Sequence, residues 1–144
     1  MLDFGVILGG YCSDMTRTVH VGRPTSDARR WYKAVLDSQL AGVAAVKAGA
    51  PAADVDLACR EVLRKAKLDR YFTHSTGHGV GLEIHELPRL AKHQQEPLVE
   101  GMVVTIEPGI YIERKGGIRI EDMVVVTNGD CDVLTPVTKE LIIL

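Results

Sequence analysis

Five carboxylates and three imidazoles in this 144-residue chain stand where their presence has to be explained. Asp3 lies between Leu2 and Phe4 in an apolar run. Glu107 ends the run VVTIE, and Glu121 and Asp122 interrupt IRIEDMVVV. Asp14 follows a Gly/Ser-rich turn. A lone acid on a half-exposed strand simply faces water. Several acids in apolar strands are costly unless each is paired or bound to a cation. Shared burial around a hard cation would account for them together. The segment HSTGHGVGLEIHELP, His74 to Pro88, holds His74, His78 and His85, three of the five histidines. His78 sits among Gly77, Gly79 and Gly81, and residues without a Cβ would let backbone approach a metal or substrate closely. Carboxylates with one or two imidazoles suit a two-metal hydrolytic site better than a thiolate zinc site. Oxygen-rich ligation favours Mn²⁺ or a similar ion, and a pair of such ions can clamp a tetrahedral intermediate. Two competing motifs fail. GHGVGL lacks the spacing of a dinucleotide loop and opens no long helix. HELPR lacks the second histidine of an HExxH zinc helix, which Pro88 would end in any case.

The elements that must carry these residues read as follows. Leu2–Leu8 predicts a strand already under way at the first residue, Gly9-Gly10 a turn, and Thr16–Val21 a second, β-branched strand. A long helix follows, capped by Thr25 or Ser26, with Tyr32, Val35, Leu36, Leu40, Val43 and Val46 on one face. Gly49 and Pro51 stop it. A second helix starts near Asp54 and carries the stripe Val55, Ala58, Cys59, Val62 and Ala66. Strands are then predicted over Tyr71–His74, Leu82–His85, Met102–Glu107, Ile118–Val126 and Glu140–Leu144, with a polar loop over Leu90–Glu100. Gly116-Gly117 and Asn128-Gly129 mark turns, the latter a hairpin signal. The order is α+β, with helices on one side of a largely antiparallel sheet.

Composition narrows the classes. Hydrophobic residues make up 46% and charged residues 25%, which supports one globular domain and argues against disorder. A net charge of −2 gives no bulk attraction to nucleic acid or to anionic lipid. No apolar run is long enough to span a bilayer, and no signal peptide opens the chain. Cys12, Cys59 and Cys131 are odd in number and far apart, so a reducing, cytoplasmic compartment is expected.

Four segments together resemble the C-terminal part of the pita-bread metallopeptidases, in the Xaa-Pro aminopeptidase and prolidase branch. They are DFGVILGGYCSDMTRT (Asp3–Thr18), HSTGHGVGLEIHELP (His74–Pro88), TIEPGIY (Thr105–Tyr111) and GGIRIED (Gly116–Asp122). The resemblance implies a curved, largely antiparallel sheet and five ligands for two divalent ions. Asp3 would bind one ion, His78 and Glu107 the other, and Asp14 and Glu121 would bridge. Mn²⁺ is expected, with Co²⁺, Fe²⁺ or Zn²⁺ compatible with the same donors. A hydroxide would attack the peptide carbonyl while Glu107 moves the proton to the leaving proline nitrogen. His85 would stabilise the carbonyl oxygen, His74 would line the site near the leaving residue, and Arg119 and Tyr111 would hold ligand carboxylates such as Asp3. The substrate would be a small peptide with proline second. A methionine-aminopeptidase-like enzyme is the second enzymatic reading. The family's catalytic domains extend upstream of the strand carrying Asp3, so residues 1–144 are expected to be a single, N-terminally truncated domain. Its uncovered apolar surface would favour a homodimer or another partner. A fragment that binds metal or a partner without turnover is the alternative.

Overall fold

Thr25 opens the first helix. Its backbone is extended and its Oγ1 accepts the Ala28 N–H at 3.1 Å, so α1 runs Ser26–Ala45. The computed structural model describes residues Met1–Leu144. Tyr32 and Val35 are buried along α1, whereas Leu40, assigned to the same face from sequence, is exposed. The second helix, α2 (Ala52–Lys65), begins directly after Pro51, two residues ahead of Asp54. It buries Val55, Cys59 and Leu63 completely. Burial pushes the Cys59 thiol up to about 12, which makes it an inert core residue. A side chain at Gly42 would collide with Cys59 and Ile106, so this glycine lets α1 approach α2 and the sheet closely.

Eleven short strands complete the fold: β1 (Leu2–Phe4), β2 (Ile7–Leu8), β3 (Tyr11–Cys12), β4 (Met15–Arg17), β5 (Gly77–Gly79), β6 (Glu86–Leu90), β7 (Val103–Ile106), β8 (Gly109–Ile112), β9 (Gly116–Arg119), β10 (Asp122–Val126) and β11 (Cys131–Val133). The main sheet has the order β11-β10-β7-β5-β6. All its pairings are antiparallel, as are those of the ribbons β1-β4, β2-β3 and β8-β9. α1 packs on β7 and β9, and α2 on β6. Val35, Leu63, Val104, Ile106 and Val124 belong to one apolar core between helices and strands.

Several predicted strands are shorter or absent. Leu2–Leu8 breaks at Gly5-Val6, where Ser13 Oγ takes the Val6 N–H at 3.1 Å. The second strand covers only Met15–Arg17 of this region. Ile118–Val126 divides because Glu121 N leaves the ladder to bond Thr16 O at 3.0 Å. Leu82–His85 bends instead of pairing, and the strand lies at Glu86–Leu90. The strand expected over Tyr71–His74 is absent: Tyr71 ends the 3-10 turn Asp69–Tyr71, and the next residues pair with no strand. Glu140–Leu144 makes only an isolated bridge between Ile143 and His20. Gly116-Gly117 begins β9, and the turn precedes it, with Arg114 in the left-handed region at φ 60°. Asn128-Gly129 does connect β10 to β11. Within the polar loop, Leu90 and Leu98 are buried as anchors.

No helix is long and apolar enough to cross a membrane. Leu2, Phe4, Ile7, Leu8 and Tyr11 are each more than half exposed, so an apolar face lies open along β1 to β3.

Candidate metal centre

Strand register assembles the acids. Asp3 pairs opposite Thr16 in the β1-β4 ribbon, and β4 meets Glu121 through the Thr16 carbonyl. The β7-β10 ladder pairs Ile106 with Asp122, so Glu107 and Glu121 leave the sheet at the same end. β5 brings His78 alongside, where its N–H donates to Thr105 Oγ1 at 3.1 Å. The result is a group in which Asp14, His78 and Glu121 each offer a ligand atom within 4.8 Å of the others. Glu107 joins them, its Oε1 lying 3.4 Å from His78 Nε2, while Asp14 Oδ2 lies 3.7 Å from the same nitrogen.

The hydrogen bonding of His78 fixes what that nitrogen can do. Nδ1 lies 3.0 Å from Gly79 O, a pure acceptor, so Nδ1 carries the proton and donates. Burial lowers the His78 pKa, which keeps the ring neutral. Nε2 therefore presents a lone pair to two carboxylates. Lone pair against carboxylate is repulsive unless a proton or a cation lies between them. The carboxylates show the same deficit. Burial, with Glu121 adding repulsion, pushes Glu107 up to about 8. Burial and the charge of Asp14 push Glu121 up to about 7, against a 2.5 Å hydrogen bond from Thr16 Oγ1. Asp14 is raised, chiefly by burial. Oxygen donors with one neutral imidazole form a set that fits a divalent cation.

The other predicted residues surround this group. Asp3 stands at its rim, about half exposed, and pairs with Arg119. Arg119 also donates to Tyr111 Oη at 3.0 Å and to Thr16 Oγ1 at 3.1 Å, and its Nε lies 3.9 Å from Glu107 Oε2. Tyr111 Oη is 3.1 Å from His74 Nε2. The His85 and His78 rings meet edge to face at 4.3 Å. Two clefts flank the group, and His85 lines both. One, of about 440 Å³, is bounded by Asp3, Phe4, Ile7, Asp14 and Ile84. The other, of about 570 Å³, is bounded by His74, His78, Arg89, Glu107 and Arg119.

Two expectations need correction. Asp122 does not join the group around His78. It points away from Glu121, as strand alternation requires, and is satisfied by Arg17 and Lys139, each at 2.6 Å. Gly77 and Gly79, on either side of His78, do not make room for a ligand. A Cβ at Gly77 would strike the Thr105 carbonyl and one at Gly79 the Leu87 carbonyl, so they let neighbouring backbone close in. Thr16 and Thr105 also serve the group, beyond the residues expected from the sequence. Thr105 Oγ1 donates to Glu107 Oε1 at 3.3 Å while accepting from His78 N. A hydroxyl two residues before Glu107 in an aliphatic strand shares its face, which was the available signal.

Residues 1–128 match the model of metallopeptidase family M24. The chain belongs to metallopeptidase family M24. Among its M24 relatives, the Xaa-Pro dipeptidase of Pyrococcus furiosus is 46% identical over 142 residues, which are 99% of this chain and 41% of that protein. The solved Xaa-Pro dipeptidase from Bacillus anthracis superposes with a TM-score of 0.97 at 49% identity, covering 99% of this chain and 40% of that one. The X-Pro aminopeptidase from Thermotoga maritima gives a TM-score of 0.95 at 39% identity, with 99% and 40% covered. The fold is thus the C-terminal part of the M24 pita-bread architecture, and the chain spans about 40% of the length of these relatives.

Proposed function

We propose that this M24 chain carries the metal centre of a peptidase that cleaves Xaa-Pro bonds. The observation that carries the reading is the neutral His78 Nε2 facing Asp14 and Glu107 beside buried Glu121. Asp14, His78, Glu107 and Glu121, with Asp3 swinging in from the rim, would hold two divalent ions, Mn²⁺ by donor type. Such ions polarise the scissile carbonyl and make water nucleophilic near neutral pH.

Glu107 would take a proton from the attacking water and return it to the proline nitrogen. It lines the larger cleft with its Oε1 beside His78, which places it for both halves of that transfer. His85, at the junction of the two clefts, would donate to the carbonyl oxygen as charge develops there. His74 would face the leaving residue. Arg119 would hold Asp3 in reach, and Tyr111 would buttress Arg119 and His74. A tertiary amide has no N–H to donate to a protease backbone, so a site that grips carbonyl and termini suits proline. Arg89 lines the larger cleft and pairs with no acid of this chain, so it is free for the carboxylate of a dipeptide. The open apolar face of β1 to β3 would be covered by a second copy. The free thiols of Cys12, Cys59 and Cys131 suit a cytoplasmic setting.

Proline release from an Xaa-Pro dipeptide with added Mn²⁺ tests the reading. Turnover that disappears in Glu107→Gln and His78→Ala is expected. A folded, metal-loaded chain with no turnover would instead support the second reading, a metal-binding domain that is catalytically incomplete.

A further inference from the structure

His74 sits in a segment with almost no backbone support of its own. Phe72 N bonds Asp69 O at 3.1 Å and Thr76 N bonds Leu90 O at 2.8 Å, but no backbone–backbone hydrogen bond involves Thr73, His74 or Ser75. Helix α2 holds the backbone of the stretch, while the His74 ring also meets Tyr111 Oη at 3.1 Å. Arg60 donates to Phe72 O at 3.1 Å and to His74 O at 2.6 Å, and its guanidinium lies 4.2 Å above the Phe72 ring. The Phe72 ring in turn meets the His74 ring edge to face at 5.0 Å. Asp56, one helical turn before Arg60, accepts from Arg60 Nε at 2.7 Å and from Thr76 Oγ1 at 2.8 Å. The Thr76 carbonyl then accepts the Glu107 N–H at 2.7 Å.

From this geometry we infer that Arg60 and Asp56 are a positioning pair that sets His74 and the Glu107 backbone at the cleft from helix α2. Neither residue touches the acid cluster. Their i,i+4 spacing places both on the helix face that meets the 72–76 segment, and Asp56 is fully buried there. A helix is a rigid mount, whereas the segment alone is not. Fixing two carbonyls with one planar fork requires arginine, since a lysine ammonium keeps the charge but not the fork. The catalytic use of the cleft rests on the peptidase reading above. The mechanical claim about His74 does not.

Arg60→Lys is therefore the informative variant, because it retains the ion pair with Asp56 and loses the grip on the carbonyls. The expected result is a shift of the His74 ring resonances in the metal-free chain, with those of His20 unmoved. For Ala-Pro hydrolysis with Mn²⁺, kcat should fall about ten- to a hundredfold, with KM changing by less than about threefold. Thr76→Val, which cuts the other arm of the latch, should move the same resonances if Arg60→Lys does not fold. Arg64→Gln, on the exposed side of the same helix, should change nothing. Unmoved His74 resonances in both folded variants would overturn the inference, and a moved ring with an unchanged kcat would overturn its catalytic consequence. If the unmodified chain hydrolyses no Ala-Pro, the peptidase reading fails, and the ring resonances alone decide whether Arg60 positions His74.

Discussion

Glu121 and Asp122 are adjacent in sequence and almost fully buried, yet they sit in opposite kinds of surroundings. Asp122 Oδ1 accepts from Arg17 and Thr135, and Oδ2 accepts from Gln39 and Lys139, all within 3.1 Å. Arg17 also reaches the carbonyls of Thr16, Glu121, Thr135, Val137 and Thr138, with Nη2 sharing its two hydrogens among Asp122, Thr135 and Val137. That cluster is closed within the chain. Glu121 faces Asp14, Glu107 and a neutral imidazole, with Arg119 as the nearby cation. The pleat alone sends the two side chains to opposite faces. A buried acid is thus a sign of function only when its neighbours leave it short of positive charge.

The comparison can be broken most sharply by mutation. Asp122→Ala strands Arg17 and Lys139, and should cost about 3–5 kcal/mol of stability in urea unfolding. Glu121→Gln removes a repelled charge, and should leave the metal-free chain at least as stable as before. Equal losses from the two would erase the distinction.

Metal affinity should separate them in the other direction. Glu121→Gln and His78→Ala are expected to weaken Mn²⁺ binding at least about a hundredfold by calorimetry, because each deletes a donor. Lys139→Gln, on the closed side, should change it by less than about threefold.

Acidity offers a subtler test. Folded-state values of about 8 for Glu107 and about 7 for Glu121 exceed their ordinary 4.5, so the folded, metal-free chain binds more protons than the unfolded one. Stability should therefore rise as pH falls from about 8 to about 6.5, by roughly 1–2 kcal/mol. Below about 6.5 the effect should be opposed by His78 and His74, whose values are lowered mainly by burial. Chemical denaturation of the unmodified chain and of Glu107→Gln, Glu121→Gln checks this. A slope that survives in the double variant would place its origin elsewhere. Metal binding near pH 7 should correspondingly release protons, visible as a dependence of the calorimetric heat on buffer.

The smallest effect is expected from Thr16→Val, which removes the 2.5 Å hydrogen bond to Glu121 and should weaken Mn²⁺ binding about five- to tenfold. No change would mean that Glu121 is held by its backbone alone.

Much of this was legible along the chain because it is local. The cap at Thr25, the stripe Val55-Cys59 and the acids ending apolar runs all announce themselves within a few residues. What could not be read is long-range. Asp122 looked like its neighbour because its partner Arg17 lies 105 positions away. The glycines beside His78 looked like room for a ligand because the Thr105 and Leu87 carbonyls that fill that space come from other strands. Strand ends failed for a related reason. Glu121 N bonds β4 instead of the ladder, which divides one apparent strand into two. The role of Thr16 was hidden in the same way, since a threonine in a β-branched strand carries no mark of the carboxylate it will meet.

The most direct measurement is the number of Mn²⁺ ions retained per chain after loading and desalting at pH 7.5, with Glu121→Gln alongside. Two ions in the unmodified chain, with at least one lost in the variant, is the result expected if these acids hold a pair of divalent cations. One ion or none in the unmodified chain, or the same content in the variant, would contradict a binuclear centre at Asp14, His78, Glu107 and Glu121.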